Sequence, residues 1–263
     1  MFKKNKKIKI LAIGKNSFLA KNFYKYTKLK RHINFISRYE IAKIDFNEFT
    51  HLINFSYDPK IINHNYSKTN LIDEKICSLI KNDKLIYIYP SSRAVLKIDN
   101  KRKNYGKNKL IIEKLIKKNR KSRYLILRIS NVLGFHLEGS NLFITKLLNS
   151  LKIHKLIKLD LHKKTYKDFI TPMFFSESLD KLIKMNKIGT FNFSSGKKTY
   201  INELCDAIIK GYGKGNIIYL QNLYRDSFIL NNSKLKKSTN LDISKKEIID
   251  FCYILGKKLK KYA

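Results

Sequence analysis

The first half of the chain alternates short apolar runs with longer segments of helical apolar spacing. Lys7–Ile13 is apolar and β-branched up to Gly14, and Phe18–Tyr26 then has helical spacing. The alternation predicts further strands at His32–Ser37, Ile41–Phe46, His51–Ser56, Lys84–Tyr89 and Tyr124–Ile129, and helices at Leu71–Lys81 and Tyr105–Lys118. Strands separated by helical segments pair in parallel through right-handed crossovers. We therefore expect an α/β fold with a doubly wound parallel sheet.

After about Gly134 the pattern loosens into shorter elements. Helical spacing occurs at Leu142–Leu151, Ser176–Lys184, Ile201–Ile209 and Lys245–Leu259, and short apolar pieces occur at Asp168–Ile170 and Phe191–Ser194. We expect a smaller C-terminal α/β lobe that is partly interleaved with the sheet. The expected division is a first domain of residues 1–135, which also receives about 165–187, and a second lobe of residues 136–164 and 188–263.

Composition supports a folded protein with an anionic small-molecule ligand. Hydrophobic residues make up 43% of the 263 residues, which is enough for a sizeable core. The net charge of +36 would favour nucleic acid if it were concentrated, but the lysines are spread through helix-like and loop-like segments alike. We interpret this as a bias of the whole chain and expect no nucleic-acid partner. Nucleotides and similar anions would still be attracted.

Cysteine spacing and apolar run lengths exclude several other classes. The three cysteines, Cys77, Cys205 and Cys252, have no C-x-x-C spacing, which disfavours a disulfide framework and a zinc site. The apolar run Ile8–Ile13 is far too short to cross a membrane. We expect a cytoplasmic protein without a metal and without a membrane partner.

The turn after the first strand has the spacing of a phosphate-binding turn. Small residues stand at 14, 17 and 20 in Gly14-Lys15-Asn16-Ser17-Phe18-Leu19-Ala20, where a helix begins. Backbone N–H groups at a helix N-terminus bind pyrophosphate. The residues expected to contact it are Gly14, Asn16, Ser17, Phe18 and Leu19. A single glycine at such a turn also has a purely steric explanation.

Residues after the next two predicted strands bear on the choice of cofactor. Arg38 has no acidic residue beside it, which favours the 2′-phosphate of NADP over NAD, although Arg38 is also explained as one more basic surface residue. Asp45 and Phe46 are placed to touch adenine, and a helix N-cap is the alternative for Asp45.

Tyr105 and Lys109 lie four residues apart, on one face of a predicted helix. An ammonium near a phenol lowers the pKa of the phenol from its usual value of about 10. Such a tyrosine passes a proton to or from a carbinol oxygen while hydride moves to or from nicotinamide. A Tyr and a Lys at this spacing are common in a lysine-rich chain, so the pair depends on its context.

Several weak motifs in one order supply that context. They are Ile10–Phe23 with its glycine turn, Ile53–Ser56, the strand Ile86–Val95, the Y-G-x-x-K-x-x-x-E pattern of Tyr105–Leu115, the L-R-x-x-N-V-x-G pattern of Leu127–Gly134, Lys167–Ile170 and Gly189–Phe193. Together they resemble the extended short-chain dehydrogenase/reductases, especially the nucleotide-sugar epimerases, dehydratases and reductases. The resemblance runs nearly end to end.

The resemblance implies a Rossmann-like fold and an NAD(P)-dependent reductase or epimerase of a nucleotide-linked sugar, in surface polysaccharide or glycoconjugate synthesis. Tyr105 would be the acid/base, and Lys109 would hold the nicotinamide ribose. Ser92 would hydrogen-bond the reacting oxygen, and Asn131 would lie near the nucleotide sugar. Further cofactor contacts are implied at Phe55, Ser56, Ile129 and Tyr105 itself. Either NADP or NAD fits, and Arg38 favours NADP. The resemblance also allows a homodimer.

The chain also departs from the family pattern. Ser17 replaces the middle glycine and Ala20 the third, and only thirteen positions separate Ser92 from Tyr105, fewer than is usual. Pro172 and Phe174 stand where the family has an aliphatic and an acidic residue. These departures leave open a non-catalytic or regulatory dinucleotide-binding protein of the same fold.

Overall fold

The computed structural model describes residues 7–56, 58–64, 66, 72–96, 103–137, 142–220 and 226–262. Their strands, in chain order, are β1 (Ile10–Ile13), β2 (Ile33–Ile36), β3 (His51–Asn54), β4 (Ile86–Ser92), β5 (Tyr124–Ile129), β6 (Asn131–Val132), β7 (Leu156–Leu159), β8 (Tyr166–Lys167), β9 (Phe169–Ile170), β10 (Gly189–Phe193), β11 (Thr199–Tyr200) and β12 (Asn216–Tyr219). Their α-helices are Phe18–Tyr26, Ile72–Leu79, Lys103–Arg120, Phe143–His154, Pro172–Lys184, Ile201–Tyr212, Ser233–Thr239 and Lys245–Lys260.

Six of these strands form one parallel sheet in the order β10-β5-β4-β3-β1-β2. The strand order reverses beside β1, which has β2 on one side and β3 on the other. Every residue of β1 and β3 is buried, as in central strands that are covered on both faces. The predicted doubly wound α/β sheet is confirmed. A sheet of this kind binds its ligand at the carboxyl ends of the strands, where the order reverses.

The helix Phe18–Tyr26 follows β1, as its spacing predicts, and it buries Ala20 and Phe23. Its C-terminal end is held by Asp180, whose carboxylate accepts hydrogen bonds from the Thr27 hydroxyl at 2.5 Å and the Lys28 backbone N–H at 2.7 Å. Asp180 is itself buried, so this contact satisfies a carboxylate that would otherwise be costly to bury.

One predicted strand is wrong. Residues Ile41–Phe46 form two single 3₁₀ turns, Ile41–Lys43 and Phe46–Glu48, instead of an extended segment. The Asp45 carboxylate accepts a hydrogen bond from Asn47 N–H and so caps the second turn. Ile41 and Phe46 are buried in the core from these turns. The apolar residues are therefore buried without a further strand, and β2 is one edge of the sheet, with β10 at the other.

By its contacts the chain divides into two compact units, Met1–Ile129 with Ser176–Phe193, and Ser130–Phe175 with Ser194–Ala263. The first unit contains the six-stranded sheet. β10 lies in that sheet beside β5, whereas the sequence pattern places residues 188–263 in the smaller lobe. Residues 165–175, expected to join the first domain, group with the second unit.

The second unit contains three two-stranded pairs, β11-β8, β12-β7 and β6-β9, among the residues described. Its helices Ile201–Tyr212 and Lys245–Lys260 pack against each other through buried residues that include Ile208 and Cys252. At the start of the first helix the Glu203 carboxylate accepts a hydrogen bond from the Tyr200 backbone N–H at 3.1 Å, and the second helix begins with a capping box of Ser244 and Glu247.

Neither a membrane-crossing helix nor a metal-binding cluster occurs among the described residues. No helix there combines the length and the apolar character that crossing a membrane requires. Within the same ranges no group of three or more His, Cys, Asp or Glu side chains is arranged to hold a metal ion.

Candidate functional site at the carboxyl edge of the sheet

Gly14 directly follows β1 and has a conformation that other residues rarely adopt, with φ at +89°. A Cβ atom at this position would lie 2.6 Å from the backbone nitrogen of Ser56 and 2.7 Å from its Cα. The backbone at the ends of β1 and β3 therefore approaches too closely for any side chain. The structure thus requires glycine here, at the point where the strand order reverses.

Ser17 stands at the N-cap of the helix Phe18–Tyr26 with an ordinary φ of −66°. Its hydroxyl accepts a hydrogen bond from the Ala20 backbone N–H at 3.2 Å. The side chain that replaces the expected glycine thus caps the helix, and the N-cap oxygen lies where a pyrophosphate would approach. Asn16 is exposed in the turn, and Phe18 and Leu19 are half-buried in the first helical turn.

The segment after β2 is exposed and carries both signs of charge. Arg38 donates a hydrogen bond to the Tyr39 hydroxyl at 2.9 Å, and this bond raises the pKa of Arg38, with the Asp58 charge acting in the same direction. The Glu40 carboxylate accepts a bond from Ser37 N–H at 2.6 Å. Arg38 thus shares this strand end with two carboxylates, those of Glu40 and Asp58.

Asp45 and Phe46, expected at the adenine, have other contacts. Asp45 is exposed and caps the 3₁₀ turn, which is the alternative that the sequence left open. The Phe46 side chain is 5% exposed and belongs to the hydrophobic core. These contacts explain both residues without a ligand.

Ser56, directly after β3, is held by its neighbour Asn54. The Asn54 side-chain oxygen accepts hydrogen bonds from the Ser56 backbone N–H at 3.1 Å and from the Ser56 hydroxyl. Phe55 is buried, and its ring lies 5.5 Å from that of Phe23, centroid to centroid. Ser56 therefore faces the Gly14 turn with its hydroxyl proton directed at Asn54.

Ser92 ends β4, and its hydroxyl oxygen accepts a hydrogen bond from Ala94 N–H at 3.2 Å. Its register partner on β5 is Ile129, so these two predicted site residues are side by side. The segment 97–102, between Ser92 and Tyr105, lies outside the described residues. Tyr105 is half-buried and packs against the core cluster of the sheet.

Lys109 lies one helical turn after Tyr105, in the helix Lys103–Arg120, and reaches back to β4. Its ammonium donates a hydrogen bond to the Pro90 carbonyl at 3.0 Å and lies 4.5 Å from the centre of the Tyr89 ring. Burial lowers the pKa of Lys109 to about 8, although the charges of Asp73 and Glu113 oppose that shift. Lys109 is therefore charged at neutral pH and loses its charge as the pH rises through about 8.

Two charged residues that were given no role in the sequence analysis tie this helix to the sheet. Glu113 is fully buried. Its carboxylate accepts hydrogen bonds from Arg128 Nη2 at 2.7 Å, from Arg128 Nε at 3.1 Å and 3.2 Å to its two oxygens, and from the Ser91 hydroxyl at 2.7 Å. Ser91 is on β4 and Arg128 on β5, so one carboxylate joins two strands and the helix. Both charges fall within the recognised motifs, but only the fold shows that they pair.

The second unit places Asn131 next to a buried carboxylate. The Asn131 side-chain amide donates to the Asp168 backbone carbonyl at 2.9 Å. The Asp168 carboxylate is fully buried and accepts bonds from Ser195 N–H and hydroxyl, both at 2.8 Å, and from Gly196 and Leu230 N–H. The Asp168 carboxylate thus connects the loops of this unit, and the Asp168 backbone carbonyl orients the Asn131 side chain.

Comparison of the sequence with protein-family models and with curated proteins gives no match. Solved structures do match. The dTDP-glucose 4,6-dehydratase of Bacillus anthracis in complex with NAD has a TM-score of 0.75 at 13% identity, covering 97% of this chain and 98% of that one. The UDP-N-acetylglucosamine 4-epimerase of Methanobrevibacter ruminantium in complex with UDP-N-acetylmuramic acid has a TM-score of 0.76 at 15% identity, covering 98% of each chain.

RMD of Pseudomonas aeruginosa in complex with NADPH has a TM-score of 0.74 at 13% identity, covering 97% of this chain and all of that one. At these identities the likeness establishes the fold that this chain shares with them. That fold extends over nearly the whole chain, as the order of the motifs predicts.

Proposed function

We propose that this chain is an NAD(P)-dependent oxidoreductase that acts on a nucleotide-linked sugar. One observation carries the proposal: Lys109, one helical turn after Tyr105, donates to the Pro90 carbonyl of β4, the strand that Ser92 ends. The three side chains expected to act together thus belong to one strand end and the helix that contacts it. Solved structures of the same fold bind NAD, NADPH and a UDP-sugar, which supports this class of ligands.

The residues at the carboxyl edge fit a dinucleotide. The Gly14 turn leaves no side chain between the ends of β1 and β3, and the helix Phe18–Tyr26 begins beside it. That helix N-terminus would hold the pyrophosphate, Ser56 would meet the nicotinamide half, and Lys109 would donate to its ribose hydroxyls. When bound, the nicotinamide ring supplies hydride transfer.

In the proposed mechanism Tyr105 transfers the proton, Lys109 supplies a nearby positive charge, and Ser92 donates a hydrogen bond to the substrate. The Tyr105 phenol gives a proton to a carbonyl oxygen of the substrate in reduction, and the Tyr105 phenolate takes the proton from the carbinol in oxidation. In this proposal the charge of Lys109 would favour the phenolate form that takes up the proton. The Ser92 hydroxyl already accepts a bond from Ala94 N–H, which leaves its own proton to be donated to the same substrate oxygen.

For the finer assignment we propose a reductase that uses NADPH, in the synthesis of a surface polysaccharide or glycoconjugate. Arg38 supports NADPH because a guanidinium at the end of β2 can bind a 2′-phosphate. Glu40, which lies at the same strand end, is the residue that would favour NAD instead. A reductase releases its cofactor after each turnover, whereas an epimerase keeps it. NAD(H) retained through gentle purification would therefore identify an epimerase.

Substitution of Tyr105 tests the enzyme proposal. We expect Tyr105→Phe to lower NADPH consumption with a keto-sugar nucleotide by about 10²-fold or more, because the acid/base is removed. Binding of NADPH, measured by its fluorescence, should not change. Tyr24→Phe, an exposed tyrosine of the same unit, is the matched control. Equal turnover of Tyr105→Phe and wild type would instead support a non-catalytic dinucleotide-binding protein.

A further inference from the structure

A buried polar cluster lies beneath the carboxyl end of β3, and the proposed chemistry does not use it. Its members are Asn54 at the end of β3, Asp73 in the first turn of the helix Ile72–Leu79, and Tyr87 on β4. Asn54 and Asp73 are each 3% exposed, and Tyr87 is fully buried. A carboxylate in such a place is costly unless hydrogen bonds compensate its desolvation. The cluster therefore needs an explanation.

The hydrogen bonds of the cluster converge on one carboxylate oxygen. The Tyr87 hydroxyl donates to Asp73 Oδ1 at 2.5 Å, and the Asn54 side-chain nitrogen donates to the same oxygen at 2.9 Å. The Asn54 nitrogen also lies 3.3 Å from the Tyr87 hydroxyl oxygen. Burial raises the pKa of the Asp73 carboxyl, but Oδ1 accepts whether the group is ionised or carries a proton on its other oxygen. The amide nitrogen of Asn54 therefore points at Asp73 Oδ1. Turning the amide over would bring two oxygens together.

The orientation of Asn54 determines what Ser56 can do. With its nitrogen on Asp73, Asn54 presents its side-chain oxygen to Ser56, where it accepts from the backbone N–H and from the hydroxyl. The single proton of the Ser56 hydroxyl is thereby committed. What remains on Ser56 Oγ is lone pairs, so a ligand can meet it only with a donor. Ser56 is half-buried and stands directly against the Gly14 turn.

We propose that Asp73 is a positioning residue for cofactor binding: acting through Asn54, it holds Ser56 Oγ as an acceptor for a hydroxyl or carboxamide N–H of the dinucleotide. This inference rests on the proposed function, because it takes the ligand at this edge to be a nicotinamide dinucleotide. Asp73 itself touches no ligand. Burial raises the pKa of the Asp73 carboxyl, and the ionised form of Asp73 opposes the lowering of the Lys109 pKa by burial.

The test compares two substitutions of Asp73 with Ser56→Ala by titrating NADPH and NADH. Asp73→Leu removes the acceptor for Asn54, and we expect the dissociation constant to rise about tenfold, the usual effect of one lost hydrogen bond. Asp73→Asn keeps a side-chain oxygen that can accept both bonds, and it should restore most of the affinity. If Asp73→Leu fails to fold, Asp73→Asn and Ser56→Ala still yield the comparison: Asp73→Asn should bind more tightly than Ser56→Ala.

The double variant distinguishes a positioning role of Asp73 from a role in stability alone. Because Asp73 acts through Ser56, the double variant Asp73→Leu with Ser56→Ala should bind no more weakly than the worse single variant. The matched control is Asp180→Leu, which also removes a buried carboxylate with two hydrogen bonds in the same unit. It should lower the melting temperature, and its effect on affinity, if any, should add to that of Ser56→Ala.

Three results would overturn the inference. Wild-type affinity in Asp73→Leu would do so, as would additive effects of Asp73→Leu and Ser56→Ala, or loss of affinity in Asp73→Asn equal to that in Asp73→Leu. In each case the proposed function would still stand, provided that the wild-type protein binds the dinucleotide. If the wild-type protein bound neither NADPH nor NADH, the proposed function would fail and this inference with it.

Discussion

The two halves of the carboxyl edge are built differently. The inner edge, at the ends of β3, β4 and β5, is held by buried side chains that bridge elements far apart in sequence, such as Glu113 to Arg128 and Lys109 to Pro90. The outer edge, Ser37–Glu40 after β2, is exposed, and its hydrogen bonds join near neighbours in the chain, as in Arg38 to Tyr39.

The contrast indicates where this chain is constrained. Preorganised groups at the inner edge need not rearrange when a substrate reacts, and their positions depend on the whole sheet. The outer edge can change its residues at little cost in stability, as exposed loops generally can. In the proposed function, the proton-transfer residues therefore belong to the core of the fold, whereas the residues proposed to choose between NAD and NADP belong to a replaceable loop.

Removal of the Glu113 carboxylate should have the largest effect on stability. Glu113→Gln leaves Arg128 without its charge partner, and breaking such a buried pair costs about 3 kcal/mol. Urea unfolding of the two proteins measures the difference. The control is Glu203→Gln, which breaks an exposed pair with Lys245 and should cost about 0.5 kcal/mol or less. Equal losses in both variants would show that the inner edge is not held as described.

The second-largest effect is expected on dinucleotide affinity when Lys109 loses its charge. Its pKa of about 8 means that it is mostly charged at pH 7 and mostly neutral at pH 9. We expect the affinity for the dinucleotide to fall over this range by up to about tenfold, because one charge-assisted hydrogen bond is lost. Lys109→Met should bind weakly and lack this pH dependence. Lys107→Met, on the same helix but exposed, should behave like wild type.

The same group has a stability signature of opposite sign in the ligand-free protein. The pKa of Lys109 is lower in the folded chain than the ordinary 10.5, so between about pH 8 and 10.5 the unfolded chain binds more protons at this position. The contribution of Lys109 to stability therefore rises with pH in that window. Subtraction of the Lys109→Met curve from the wild-type curve isolates it, and a flat difference would contradict the burial described.

Arg38 should give the smallest effect, confined to cofactor choice. We expect Arg38→Ala to weaken NADPH binding by about fivefold to tenfold, to leave NADH binding nearly unchanged, and to leave the melting temperature unchanged, because the residue is exposed. Competition between the two cofactors measures the ratio. Glu40→Ala should move the ratio in the opposite direction. Equal weakening of both cofactors would show that the outer edge does not discriminate between them.

The sequence predicted the inner edge better than the outer one, for physical reasons. The strand β4 and the helix that carries Tyr105 have strong periodicity and motif spacing, and each lies within a few residues of its predicted bounds, as does the neighbouring glycine turn at Gly14 after β1. The segment Ile41–Phe46 was wrong as a strand, because apolar residues can be buried equally well from 3₁₀ turns when a side chain such as Asp45 caps them.

The sequence alone does not predict which polar side chains pair inside the core. Asp73 looks like an ordinary acidic residue in the first turn of a helix, where a negative charge is favourable. Tyr87 looks like an aromatic residue in a strand. Only the packing of the helix against the sheet brings the two together, with Asn54 between them and Ser56. Similarly, Ser17 was recognised as a replaced glycine, but its capping bond to Ala20 follows from the fold.

The central claim is that a nicotinamide dinucleotide binds at the carboxyl edge of this sheet. Thermal unfolding of the full chain, with and without NADPH, NADP, NADH and NAD, tests it most directly, because a ligand that binds only the folded state raises the melting temperature. We predict a rise that grows with cofactor concentration, is larger for NADPH than for NADH, and is reduced in Lys109→Met. An unchanged melting temperature with all four, at millimolar concentration, would contradict the account.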